Sequence, residues 1–70
     1  HFATMFRQSM GISPYRYVIN RRIDRAKRQL RQQDAAIIDI ALACGFADQS
    51  HLNKHFRRLV GMTPRAFREH

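Results

Sequence analysis

Four polar residues recur at helical spacing in the last third of the chain: Gln49, Ser50, Asn53 and Lys54. Gln and Asn side chains can each pair with adenine through two hydrogen bonds, and a Lys ammonium can donate to O6 and N7 of guanine. The apolar positions of the same segment define the opposite, buried side: Leu52, Phe56, Leu59 and Val60. The pattern predicts a helix with a polar face that can contact base edges of DNA.

Two arginines further along this segment suit a different kind of contact. Arg57 and Arg58 follow the base-reading positions, and guanidinium groups there are better placed to bind phosphates, which fix position rather than sequence. A solvated polar helix face is the alternative interpretation of all these side chains.

The residues before this helix predict a shorter helix and a tight turn. Asp34 is the expected N-cap of the shorter helix, Gly45 is expected to end it in the left-handed conformation, and Phe46 is expected to return to the core. Its predicted buried face follows i, i+3, i+4, i+7 spacing: Ile37, Ile40, Ala41 and Cys44.

Capping and helix-breaking residues also mark the ends of the polar-faced helix and the start of the helix after it. Asp48 is the expected N-cap of the polar-faced helix and Gly61 its end, and Thr63-Pro64 is expected to begin a last short helix through Phe67. A short helix, a glycine turn and a second helix with one polar face have the layout of a helix-turn-helix, which places its second helix in the DNA major groove.

A longer helix is predicted upstream, over residues 14–32. Ser13 is its expected N-cap and Pro14 its first residue. One apolar stripe runs along it: Ile19, Ile23, Ala26 and Leu30. We interpret the basic residues of the run 21–31 as a solvated face, with phosphate contacts as the alternative. Such a helix would be about 28 Å long, against ~34 Å between successive major grooves on one face of B-DNA.

Residues 1–18 repeat the pattern of residues 51–68. Phe6 corresponds to Phe56, Gly11 to Gly61 and Pro14 to Pro64, with a constant offset that indicates duplication. The first copy has no counterpart of residues 37–50, so we expect the chain to begin inside the recognition helix of an incomplete first unit. The corresponding positions there are Ala3 and Thr4 for base contacts and Arg7 for phosphate.

Composition narrows the classes of partner. The chain has 13 Lys and Arg against 5 Asp and Glu, a net charge of +8, which favours nucleic acid as the partner. A membrane surface is the alternative, and the glycine turns argue against it, because basic amphipathic anchors carry a continuous apolar face. The single cysteine, Cys44, is interpreted as a buried thiol, with a redox sensor as the alternative. His51 and His55 have zinc-ligand spacing, but they lack further ligands, so we predict no metal and interpret His51 as a packing or helix-start residue.

The motifs of the second unit resemble the second helix-turn-helix of the AraC/XylS family of bacterial transcription regulators. They are Ile37-x-Asp39-Ile40-Ala41, Gly45-Phe46-x-Asp48-x-Ser50-His51, Phe56-Arg57, Gly61-x-Thr63-Pro64 and Phe67-Arg68. Upstream, two further motifs resemble the end of the first unit and the linking helix: Gly11-x-Ser13-Pro14-x-x-Tyr17 and Arg22-Ile23-x-x-Ala26-x-x-x-Leu30.

The resemblance implies an all-α, AraC-type double helix-turn-helix of homeodomain-like units, the first incomplete, joined by a long linking helix. Residues 1–13 would end the first unit, 14–32 would form the linking helix and 34–70 the second unit. It further implies promoter binding and transcriptional activation, RNA polymerase as a second partner, and an effector-binding or dimerisation domain upstream. The family's second-unit DNA contacts fall on Gln49, Ser50, Asn53 and Lys54.

The function expected is therefore sequence-specific binding of double-stranded DNA in the bacterial cytoplasm. Two alternatives remain open: a non-specific basic nucleic-acid binder and a protein-interaction fragment. No enzyme or cofactor is predicted, because the sequence offers neither paired carboxylates on one face, nor a nucleophile with its base, nor a phosphate-binding loop.

Overall fold

The computed structural model describes residues 13–32 and 34–69, and all regular structure within them is helical. There are four helices in this part of the chain: α1 (Pro14–Gln32), α2 (Ile37–Ala43), α3 (Gln49–Val60) and α4 (Pro64–Glu69). The predicted all-α architecture is confirmed for these residues. The predicted end of a first unit, with Ala3, Thr4 and Arg7, lies outside the described residues.

Helix α1 begins and ends where the sequence predicts. The Ser13 hydroxyl accepts a hydrogen bond from the Arg16 amide at 3.2 Å, and the Ser13 carbonyl accepts one from the Tyr17 amide at 3.0 Å. Pro14 takes the first helical position, where a missing N–H costs nothing. At about 1.5 Å per residue the helix is about 28 Å long, and it contacts each of the other three described helices.

The core lies between the apolar stripe of α1 and the helices that pack on it. Ile19, Ile23, Ala26 and Leu30 are all buried, as predicted. They share one cluster with residues of α2, the turn and α3: Ile37, Ile40, Ala41, Cys44, Phe46, Leu52 and Phe56. Full burial of a side chain as large as leucine or phenylalanine contributes about 1.5–3 kcal/mol, so this cluster fixes how α3 sits on α1.

Two expectations about individual residues were wrong. Asp34 does not cap α2, because the chain stays non-helical through Ala36, which takes the N-cap position with extended backbone and no side-chain hydrogen bond. Leu59 is 38% exposed instead of facing inward. Val60, the last residue of α3, and Phe67 of α4 pack against the core cluster instead.

Candidate nucleic-acid interface

The turn between α2 and α3 is closed by a Schellman motif. The amide of Gly45 donates to the Leu42 carbonyl at 3.2 Å, and the amide of Phe46 donates to the Ala41 carbonyl at 2.9 Å. Gly45 has a φ of 92°, the left-handed conformation predicted for it. Phe46 then returns to the core at 3% exposure, which confirms its predicted role and sets the direction in which the chain enters α3.

Reciprocal side-chain contacts fix the start of α3. The Asp48 carboxylate accepts a hydrogen bond from the His51 amide at 2.8 Å, which confirms Asp48 as the N-cap. In return, Nδ1 of His51 accepts a hydrogen bond from the Ala47 amide at 3.2 Å. His51 is therefore the helix-start residue expected from the sequence, and it also packs edge to face on Phe46 with ring centroids 5.4 Å apart.

His55 is a buried residue that the sequence analysis did not identify. It is 6% exposed, its ring lies 4.8 Å from the ring of His51 and 6.1 Å from that of Phe46, and its Nδ1 lies 3.0 Å from a guanidinium nitrogen of Arg58. Since a guanidinium can only donate, Nδ1 accepts and the ring is neutral. Burial lowers the pKa of His55, and electrostatic interactions with His51, Arg58 and Lys54 lower it further.

The signal for the burial of His55 was its position rather than its residue type. It lies three residues after Leu52 and one before Phe56, within the stripe that α3 turns towards the core. Its polar side chain concealed this at the sequence level, because histidine is intermediate in its preference for burial.

The predicted DNA-reading residues of α3 lie together on its accessible surface. Ser50, Lys54 and Arg57 are exposed, and Gln49 and Asn53 are partly buried. Leu52 and Phe56, on the opposite side, are fully buried. One helix face is therefore committed to the core, and the other is left with amide, hydroxyl and ammonium groups that can donate to or accept from base edges.

Arg58 differs from Arg57 in having an intramolecular partner. Its guanidinium contacts His55, although the side chain remains exposed. Because a guanidinium carries five N–H donors, Arg58 retains donors for a phosphate. Both arginines lie in the last turns of α3, beyond the part of a recognition helix that meets bases.

The basic residues of α1 are only partly the solvated face that the sequence suggested. Arg21 donates to the Tyr17 hydroxyl at 3.1 Å, and the Arg31 guanidinium lies 4.8 Å from the ring centroid of Phe67. Arg22 donates from Nη1 to the carbonyl of Gly45 at 3.0 Å, so it joins α1 to the turn before α3. These arginines therefore make structural contacts within the domain.

Cys44 is buried in the core, as predicted, at 3% exposure. Burial raises the pKa of its thiol, and the positive charges of Arg25 and Arg28 only partly oppose this, which keeps the thiol protonated and unreactive. Among the described residues, no three His, Cys, Asp or Glu side chains are grouped closely enough to hold a metal ion, and no helix is long and apolar enough to cross a membrane.

Comparisons with known proteins agree with this architecture. The family model described as a helix-turn-helix domain matches residues 1–70. The chain is 40% identical over 63 residues to the transcriptional activator RhaS of Escherichia fergusonii; the match covers 90% of this chain but only 23% of RhaS. The chain thus spans about a quarter of that relative.

Two solved structures have the same fold. A transcriptional regulator with an AraC-type DNA-binding domain, from Chromobacterium violaceum, superposes with a TM-score of 0.92 at 34% identity, covering 96% of this chain and 60% of that one. The DNA-binding domain of AdpA, a global transcriptional factor solved in complex with a target DNA, gives a TM-score of 0.90 at 35% identity, covering 97% and 61%. The chain belongs to the AraC-type helix-turn-helix family of transcriptional regulators.

Proposed function

We propose that this chain binds promoter DNA sequence-specifically, with α3 in the major groove, and that it takes part in activating bacterial transcription. The observation that carries the proposal is the two-sided character of α3. Leu52 and Phe56 anchor the helix in the core, while Ser50 and Lys54 extend from its outer side. The AdpA domain of the same fold was solved with its target DNA, and RhaS is a transcriptional activator.

Each polar residue of α3 has a distinct part in the proposal. Asn53 and Gln49 offer paired donor and acceptor groups suited to adenine, and Lys54 offers a point charge suited to guanine. Ser50 can bond to either kind of base. Arg57 and Arg58 contact phosphates on the flanks of the groove, with the net charge of +8 adding to the attraction of the backbone.

The domain organisation is part of the same proposal. Residues 1–13 would end a first helix-turn-helix unit, α1 would link the units, and residues 34–70 would form the second. A rigid helix about 28 Å long can hold two recognition helices close to one turn of DNA apart, whereas a flexible linker could not fix that register. Within the first unit, Ala3 and Thr4 would contact bases and Arg7 a phosphate.

Further partners follow from the proposed role. A protein that activates transcription at a promoter works in the bacterial cytoplasm, on chromosomal DNA, and acts on RNA polymerase. The proposed role requires binding alone and involves no catalytic step.

A non-specific basic binder is the second candidate, and the charge of α1 is the observation in its favour. Between Pro14 and Gln32 the helix carries seven Lys and Arg residues against one Asp. Such a surface attracts any polyanion, with affinity that falls steeply as salt is raised but does not depend on sequence.

Selection of duplexes from a random pool at physiological salt, with the full chain, tests the proposal. Specific binding predicts enrichment of a short motif read by α3, and a second box about one helical turn away would show that the first unit reads DNA as well. Retention of DNA without enrichment would leave the non-specific binder. Failure to retain any DNA would refute both and favour a protein-interaction module.

A further inference from the structure

One side chain of α1 reaches the turn that precedes the recognition helix. Nη1 of Arg22 donates to the Gly45 carbonyl at 3.0 Å, across 23 residues of sequence. A hydrogen bond from a charged donor is stronger than one between neutral groups. Arg22 is only partly exposed, and it lies beside the buried Ile23, so its backbone is held by the core of α1.

Two separate requirements favour glycine at position 45. Its φ of 92° requires a residue that tolerates the left-handed conformation. In addition, a Cβ at this position would lie 2.9 Å from Nε of Arg22 and 3.2 Å from its Cζ, which is too close for a side chain to coexist with the guanidinium as placed. The absence of a side chain therefore lets Arg22 lie directly over the turn.

The Gly45 carbonyl is the group of the turn to which Arg22 donates. The Schellman motif uses the Gly45 and Phe46 amides and the Ala41 and Leu42 carbonyls, all within the local chain. The Gly45 carbonyl takes its hydrogen bond from Arg22 on another helix. Local bonds thus define the shape of the turn, and Arg22 ties that shape to α1.

We propose that Arg22 is a positioning residue for DNA recognition: through the Gly45 carbonyl it fixes the turn, and hence the start of α3, relative to α1. This inference rests on the proposed function, in which α1 sets the distance between two reading helices. A loose turn would let α3 tilt against α1, and a small misplacement of its polar face would weaken contacts to base edges more than contacts to phosphates.

The decisive comparison is between Arg22→Gln and Arg28→Gln. Each substitution removes one positive charge from α1, but Arg28 is exposed and is not the arginine that bonds to Gly45. Amide hydrogen exchange of Gly45 and Phe46 reports the turn, and exchange of the buried Ala26 reports global unfolding. We expect exchange at the turn to rise about tenfold in Arg22→Gln, relative to Ala26, and to stay at the wild-type rate in Arg28→Gln.

The DNA measurement uses a duplex recovered by the selection and a scrambled duplex of equal length, at one salt concentration. Arg22→Gln should lower the ratio of the two affinities about tenfold, whereas Arg28→Gln should weaken both duplexes equally. Arg22→Lys keeps the charge without the planar fork. It should retain wild-type affinity for scrambled DNA and lose selectivity, and it provides a second variant if the Gln substitution prevents folding.

The outcomes of the two measurements can be separated. Equal exchange at the turn in Arg22→Gln and Arg28→Gln would overturn the positioning role, whatever happens to DNA binding. Fast exchange at the turn in Arg22→Gln with an unchanged affinity ratio would show that Arg22 does not contribute to DNA recognition. If the wild-type chain does not distinguish the duplexes, the proposed function fails, and the exchange comparison alone still decides whether Arg22 holds the turn.

Discussion

The rings of His51 and His55 meet edge to face at 4.8 Å, one turn apart on α3, and only His55 is deeply buried. His51 accepts a hydrogen bond from the Ala47 amide, and His55 accepts one from the Arg58 guanidinium. Both imidazoles therefore use Nδ1 as the acceptor. Both rings pack against Phe46 beneath the start of the proposed recognition helix. Protonation of His55 at Nδ1 would cost it the hydrogen bond from Arg58.

Stability should therefore fall in mild acid because of His55. Its pKa is lowered in the folded state by burial and by nearby positive charge, so the unfolded chain binds the proton more readily. The stabilisation is fully present above the unfolded pKa of about 6.5 and is lost as pH falls through the lower folded value. Urea unfolding from pH 7.5 to pH 4.5 should show this loss in the wild type.

His55→Asn is the matched control for this pH dependence. The Asn amide oxygen can replace Nδ1 as the acceptor for Arg58 but does not titrate in this range. The acidic groups common to both proteins cancel when the two unfolding free energies are subtracted. A difference that stays constant over the whole pH range would contradict the assignment to His55.

Gly45 and Gly61 offer a comparison between two left-handed glycines. Their φ values are 92° and 93°, yet a Cβ at Gly61 meets nothing within 4 Å, while one at Gly45 meets Arg22. We expect Gly61→Ala to cost about 1–2 kcal/mol of unfolding free energy, the strain of the conformation. Gly45→Ala should cost more, because the Arg22 guanidinium must also move.

Urea denaturation of the two Ala variants, and of both again in an Arg22→Gln background, measures this extra cost. The additional destabilisation of Gly45→Ala should shrink when Arg22 is replaced, and that of Gly61→Ala should not change. Equal destabilisation at the two glycines would show that the contact with Arg22 is easily relieved.

Replacing Asp48 should lower the free energy of unfolding more than replacing Asp34. Asp48→Ala removes the acceptor for the His51 amide and should destabilise the protein by about 1 kcal/mol. Asp34→Ala should change stability by less than about 0.5 kcal/mol, because Asp34 is exposed and α2 begins after Ala36 instead. Thermal and urea unfolding of both variants would check the difference, and a large loss for Asp34→Ala would mean that this carboxylate has a role the geometry does not indicate.

These cases also show how far local sequence signals determine the structure. The ends of the helices were predicted correctly where a residue acts through its own backbone or on a neighbouring amide. These residues are Ser13, Pro14, Gly45, Asp48 and Gly61. The prediction that Asp34 caps α2 was wrong, because an aspartate caps a helix only if the helix begins directly after it. Helix α2 begins instead at Ile37, its first buried residue, with Ala36 in the N-cap position.

Contacts over long sequence distances could not be predicted. Nothing near Arg22 in the sequence indicates that its partner is the carbonyl of Gly45, since a backbone carbonyl carries no residue-specific signal. His55 likewise required knowledge of how deeply α3 sits on α1. The polar face of α3 was predictable because Leu52 and Phe56 define its opposite side, but the bases that this face is proposed to contact depend on the DNA.

Base reading by α3 should be separable from phosphate binding. Asn53→Ala with Lys54→Ala should lower affinity for a selected duplex by at least about 30-fold more than for a scrambled one, because two lost base contacts at about 1–3 kcal/mol each total about 2–6 kcal/mol. Arg57→Ala is the matched control on the same helix: it should weaken both duplexes alike and reduce the slope of log affinity against log salt by about 1. Fluorescence anisotropy with both duplexes at several salt concentrations measures the two effects together. An equal loss on selected and scrambled DNA in the double variant would remove Asn53 and Lys54 from base readout and leave them, with Arg57, as part of a general attraction to the backbone.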